Sequence, residues 1–185
     1  YSVDVLQRQD PEMLPQMPPR GEYIMMERPD ITYSDHMSIE LGGTHFELYH
    51  TPGHSNCQSC VYVPEERTAI VGDTLFVDCQ TWLHSADIGA LLKSLDFLDT
   101  LDVDHIIPGH GPVVTKDYIA KQRGFIYEWL GAVAAGIAKG WSEDECVANI
   151  SFAERCPMDI GQPEMMEYVQ RTNVIKCYKY LTHQA

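Results

Sequence analysis

The 185-residue chain has no cluster of lysine or arginine anywhere: 13 basic residues stand against 27 acidic ones, for a net charge of −14. Phosphate contacts dominate nucleic-acid affinity, so a chain this acidic would meet DNA or RNA against repulsion, and nucleic-acid partners are not expected. Long apolar runs are missing too. The most apolar helical stretch, Trp129 to Ala138, is short and rich in Ala and Gly, well under the roughly 18 residues of a membrane span, so no membrane partner is expected. Six cysteines (Cys57, Cys60, Cys79, Cys146, Cys156 and Cys177) are too few for a disulfide scaffold and read as reduced thiols of a cytoplasmic protein. Tyr1 to Gly21 lacks both the basic start and the apolar core of a signal peptide, and the chain starts at Tyr rather than Met, so the true N-terminus is expected upstream. No internal repeat or low-complexity run is present.

With 44% apolar residues the chain can bury one sizeable core. Asp10 to Arg20, with four prolines, reads as an extended arm or a short helix and loop. Short β-like runs follow at Tyr23–Met26, Ile31–Tyr33, Met37–Leu41 and, after the Gly42-Gly43 turn, Thr44–His50. In the last of these Phe46 and Leu48 alternate with His45, Glu47 and Tyr49. Cys60–Val63 and Thr68–Val71 flank the polar Pro64–Arg67 turn and complete an antiparallel meander. Beyond Asp73 the period becomes helical: Ile88, Leu91, Leu92, Leu95 and Leu98 mark an amphipathic helix behind a Ser85 or Asp87 cap. His105–Ile107 reads as a buried strand. Helices are expected at Tyr118–Lys139, at Ser142–Ile150 with Ser142 and Glu145 in capping-box positions, and at Glu164–Leu181. A helix between strands indicates a layered α/β arrangement, with 1–114 holding the strands and an N-terminal arm, and 115–185 a helical region packed on it.

Three segments place a potential metal ligand at the end of an expected strand: Thr51-Pro-Gly-His54-Ser55, Val71-Gly-Asp73-Thr74-Leu-Phe76 and Ile107-Pro-Gly-His110-Gly-Pro112. Glycine beside each ligand lets the backbone turn sharply and presents the side chain at the sheet edge. Imidazole nitrogen and carboxylate oxygen suit zinc or another borderline divalent metal, and one carboxylate can bridge two ions.

In their order and spacing these segments resemble the metallo-β-lactamase superfamily, over roughly Ile31 to Val114. The resemblance implies an αββα sandwich, here its C-terminal half with a helical appendage, and a binuclear site at one edge of the packed sheets. By that resemblance His54 is a ligand of the first metal, Asp73 the bridging carboxylate, which also orients the nucleophile, and His110 a ligand of the second. The expected cofactors are two divalent ions, zinc first, with iron or manganese as alternatives. The expected chemistry is hydrolysis of a small-molecule ester, thioester or amide by metal-activated hydroxide. Aspartate rather than cysteine at the bridging position looks more like the glyoxalase II and general hydrolase branches.

The family's H-x-H-x-D-H motif does not occur in the sequence; the nearest lookalike, Ile31-Thr-Tyr33-Ser-Asp35-His36, has both leading histidines replaced and precedes the Gly-Gly hairpin. Three ligands cannot fill two coordination spheres of about four each. Activity is therefore expected only with a complementary N-terminal segment, from the same protein or another chain; a homo-oligomer is the other expected partner, and a non-catalytic remnant or interaction domain is the alternative. A minor alternative takes Gly53-His-Ser55-Asn-Cys57 as a near match to the serine-esterase G-x-S-x-G elbow, with Ser55 as nucleophile. Trp82 and His84, on the loop after Asp73, are candidate pocket residues, against core packing for Trp82 and surface or capping use for His84. Ser55 and Thr74 are candidate supports for the ligands, against local capping. Cys57-x-x-Cys60 has no second pair and reads as ordinary thiols. Arg171, Lys176, Tyr178 and Lys179 form no recognisable glutathione-binding pattern.

Overall fold

A computed structural model describes residues 30–153 and 165–183; the expected arm at Asp10–Arg20, the strand at Tyr23–Met26, Cys156 and Glu164 lie outside them. The chain divides after Tyr33, and from Ser34 onward it is one compact unit. Among the described residues its strands are β1 (His36–Leu41), β2 (Thr44–His50), β3 (Ser59–Val63), β4 (Thr68–Phe76) and β5 (His105–His110), and its α-helices are α1 (Ile88–Thr100), α2 (Tyr118–Ala138), α3 (Glu143–Asn149) and α4 (Met166–Thr182). The strands form one sheet in chain order, antiparallel except for the parallel β4–β5 pair that α1 connects.

Most of these elements lie where period and turn residues place them. Asp87, not Ser85, caps α1, its Oδ1 accepting from Ala90 N at 2.8 Å. Ser142 and Glu145 form the expected capping box of α3. Three expectations are corrected. Ile31–Tyr33 is not a strand: Ile31 is exposed, and none of the described strands pairs with it. The strand expected at Thr68–Val71 runs on to Phe76, because the parallel partner β5 continues its pairing. The strand expected to be buried at His105–Ile107 is the sheet's edge; Ile106 is fully buried while Ile107 is open on the other face.

The sheet's two faces differ sharply. On one, Tyr49, Cys60, Tyr62, Ala69, Val71 and Ile106 meet the core formed with Leu91, Leu95 and Leu98 of α1 and Ile119, Ile126, Trp129 and Val133 of α2. On the other, pairing aligns Met37, Leu48, Val61, Ile70 and Ile107 in one apolar row across all five strands, with Ile39, Leu41, Ile70 and Ile107 exposed. Period-2 alternation thus makes a sheet that is apolar on both faces, the pattern of a layer built to be covered twice.

Burial also sorts the thiols. Cys60, Cys79, Cys146 and Cys177 are buried, Cys57 is exposed, and none of these five is in a disulfide. Desolvation pushes the Cys60 and Cys177 thiols up to about 12, so neither is a thiolate near neutral pH. Under native conditions iodoacetamide is expected to modify Cys57 alone of the five, read by peptide mass spectrometry; rapid modification of Cys60 or Cys177 would contradict the packing described.

Candidate metal centre

His54 sits in the turn after β2. Gly53 has φ of +156°, and a Cβ there would collide with the backbone of Leu91 in α1; its carbonyl accepts from Asp87 N at 2.8 Å. The first turn of α1 therefore presses the Pro52–His54 corner into place, which only glycine at 53 permits.

Asp73 lies in β4, within an irregularity of the parallel pairing. Gly72 pairs with Pro108 and Phe76 with His110, so four residues of β4 span what two cover on β5. The surplus bulges out and re-aims the side chain, as bulges beside sites commonly do. The ligand position is thus inside the strand, not beyond its end as expected from sequence. His110 is the last residue of β5. Between them, a Cβ on Gly109 would strike Asp73 Oδ1.

The three side chains converge around the Asp73 carboxylate. His54 Nε2 is 3.4 Å from Oδ2 and His110 Nε2 is 3.5 Å from Oδ1. Two ligand atoms each about 2.1 Å from a tetrahedral zinc ion lie roughly 3.4 Å apart, so each oxygen–nitrogen pair has the spacing of two ligands on one ion. No single point gathers three or more such groups among the described residues; Asp73 offers one oxygen to each histidine.

The other nitrogen of His54 decides its protonation. Nδ1 donates to the Trp82 carbonyl at 3.1 Å; a carbonyl can only accept, so the ring hydrogen is on Nδ1 and the Nε2 lone pair faces Asp73. Burial, the largest influence, holds the His54 imidazole below its ordinary pKa, against the opposing pull of Asp73. A lone pair facing a carboxylate oxygen is unfavourable alone and is resolved by a cation between them, so the donor set fits a divalent ion. Phe76 stacks on His110 with centroids 4.8 Å apart and lies 5.7 Å from the His54 ring.

The supports expected from sequence are not the ones observed. Ser55 Oγ faces Cys57 Sγ at 3.7 Å, and Thr74 Oγ1 is buried without a hydrogen-bond partner; neither touches a ligand. Nor does Ser55 sit on a nucleophile elbow, since β3 rather than a helix follows it. The support is the loop 77–87, where Val77 N donates to His110 O at 2.9 Å and the Trp82 carbonyl holds His54. A backbone carbonyl has no sequence signature, so Trp82 was legible only as a ring. That ring clusters with His84 and Tyr168 of α4, with centroids 6.0 to 6.3 Å apart. Lys176 and Lys179 line a cavity of about 910 Å³ with Asn56, Ser85, Tyr180 and His183; Arg171 and Tyr178 are not in its wall.

A hydroxyacylglutathione hydrolase of Francisella tularensis subsp. novicida is 39% identical over 79 residues, 42% of this chain and 31% of that protein. A beta-lactamase-like protein 2 homolog of Caenorhabditis elegans is 30% identical over 82 residues, 44% of this chain and 27% of its own length. The chain thus spans about a third of the curated relatives it matches. A metallo-beta-lactamase family protein of Thermus thermophilus superposes with a TM-score of 0.63 at 17% identity, covering 85% of this chain and 50% of that one. A beta-lactamase domain protein of Burkholderia ambifaria gives 0.62 at 19% identity, covering 81% and 46%. The family profile described as metallo-beta-lactamase superfamily matches residues 5–110, more than half of the sequence, and the chain belongs to that superfamily.

Proposed function

We propose that this chain is part of a metal-dependent hydrolase in which His54, Asp73 and His110 hold two divalent ions, zinc first, with iron or manganese as alternatives. The observation that carries the reading is the Asp73 carboxylate, whose two oxygens face two different imidazoles at 3.4 and 3.5 Å. Ions held there supply Lewis acidity and acidify water enough for attack near neutral pH. Asp73, His54 and His110 would hold the ions, Asp73 would also orient the nucleophile, and Phe76 covers one face of the His110 ring.

The substrate class is an ester, thioester or amide. A relative named for hydroxyacylglutathione hydrolysis supports the thioester, and the Lys176 and Lys179 cavity offers cationic groups for an anionic tail. Three ligands leave both coordination spheres short, and the open row Met37, Leu48, Val61, Ile70 and Ile107 is the surface a second sheet would cover in a sandwich. The active species is therefore the chain together with a segment bearing H-x-H-x-D-H.

Equilibrium dialysis against zinc, followed by elemental analysis, tests the reading on the chain alone and with such a segment co-expressed. Asp73→Ala is expected to abolish binding of both ions, whereas His54→Ala and His110→Ala each remove chiefly one. Zinc binding that survives Asp73→Ala, or that fails in every wild-type preparation, overturns the proposal; zinc bound without hydrolysis of any acyl substrate favours the interaction-domain alternative.

A further inference from the structure

One residue of the helical region bonds the backbone on both sides of Trp82. Asn173 of α4 is fully buried. Its Oδ1 accepts from Leu83 N at 2.7 Å, and its Nδ2 donates to the Thr81 carbonyl at 2.7 Å. These two backbone groups flank Trp82, whose own carbonyl receives the His54 Nδ1 hydrogen. Gln122 of α2 donates to Thr81 Oγ1 and accepts from Phe76 N at 3.4 Å, so residues of two helices bond the Thr81–Leu83 segment. A side-chain amide with one donor and one acceptor is the group that can satisfy an N–H and a carbonyl two residues apart, which explains a polar residue in the apolar stripe Val169, Val174 and Cys177 of α4.

We propose that Asn173 is a positioning residue for the metal site: by fixing the Trp82 carbonyl it selects the His54 tautomer with hydrogen on Nδ1 and the lone pair on Nε2. When the loop is not fixed, the competing tautomer gains ground, because an Nε2 hydrogen can bond to Asp73 Oδ2 across the existing 3.4 Å gap after a small ring shift, and a protonated Nε2 cannot ligate. A group that orients a ligand through its second nitrogen controls metal affinity without touching the metal. The inference rests on His54 being a ligand, but its primary readout needs no metal.

The experiment is a long-range ¹H–¹⁵N correlation spectrum of the histidine imidazoles of the metal-free chain at about pH 8, where an ordinary imidazole is neutral. Wild type is expected to show His54 with hydrogen on Nδ1. Asn173→Ala shifts that signal toward the other tautomer, and zinc affinity falls by about tenfold or more. Val174→Ala removes neighbouring buried contacts on the same helix and serves as the control: it lowers stability but leaves the His54 signal in place. Asn173→Asp keeps the side-chain shape and the acceptor for Leu83 N while losing the donor to Thr81, and is expected to shift the signal in the same direction; it is the variant to read should alanine fail to fold. An unchanged His54 signal in the Asn173 variants, an equal shift in Val174→Ala, or a wild-type hydrogen on Nε2 overturns the proposal. Zinc that binds in no wild-type preparation, with or without the complementary segment, while the tautomer shift is still seen, sinks the hydrolase reading and leaves Asn173 as the residue that sets the His54 tautomer.

Discussion

Gly109→Ala is expected to destabilise the chain by about 3 kcal/mol or more and to destroy the arrangement around Asp73, a large effect for a single added methyl group. The cause is space, not backbone conformation. Gly109 is not among the glycines with positive φ, so an alanine there is not strained by its own torsions. Its Cβ would instead strike Asp73 Oδ1 and lie 2.7 Å from the Gly72 carbonyl carbon and 2.8 Å from Asp73 N. The last two are backbone atoms of the neighbouring strand, so relief requires β4 and β5 to separate where the ladder already bulges. Neither strand can give cheaply, because interiors this close-packed respond to one extra carbon by shifting backbone. Urea denaturation monitored by circular dichroism reads the stability. A variant within about 0.5 kcal/mol of wild type, the range of an innocuous surface change, would show that the strands do not approach as described.

Trp129→Ala is expected to cost about 4 kcal/mol and to unfold the sheet and helices together. The indole is fully buried in a cluster with Phe152, 4.4 Å between centroids, and Phe125 at 6.3 Å, in the middle of α2 and within the core that α1 and α4 share. Truncation leaves a void lined by rigid elements that cannot collapse into it. Trp129→Phe is expected to be much milder, because the Nε1 hydrogen of Trp129 has no hydrogen-bond partner and its loss removes a desolvated donor along with the volume. Near-ultraviolet and far-ultraviolet transitions should coincide in both variants. Separate transitions for the sheet and the helices would mean that the unit beginning at Ser34 is not one cooperative core.

Much of the fold was legible because its signals are local. The alternation in Thr44–His50, the Gly42-Gly43 turn, the 3.6 period from Ile88 to Leu98 and the capping box at Ser142 depend on residues within a few positions of one another. The misreadings arose where a distant partner decides. Thr68–Val71 looked finished at Gly72, and the strand continues only because β5 lies parallel beside it. His105–Ile107 looked buried because three residues do not reveal which of two faces has a neighbour. Ile31–Tyr33 has strand residues, and none of the described strands pairs with it.

The candidate site divides along the same line. The glycine-flanked His54, Asp73 and His110 are marked by residue type and order, so their identity, the superfamily and the suitability of the donor set for a divalent metal follow from sequence alone, as does the lack of an H-x-H-x-D-H motif. Tertiary structure alone decided that the Asp73 carboxylate splits its oxygens between two imidazoles, that a two-residue surplus in β4 aims it, and that His54 meets the Trp82 carbonyl between the Thr81 and Leu83 backbone groups that Asn173 bonds. Those are consequences of contacts between segments up to about a hundred residues apart, made by backbone atoms every residue shares, and one-dimensional patterns of side-chain type do not encode them.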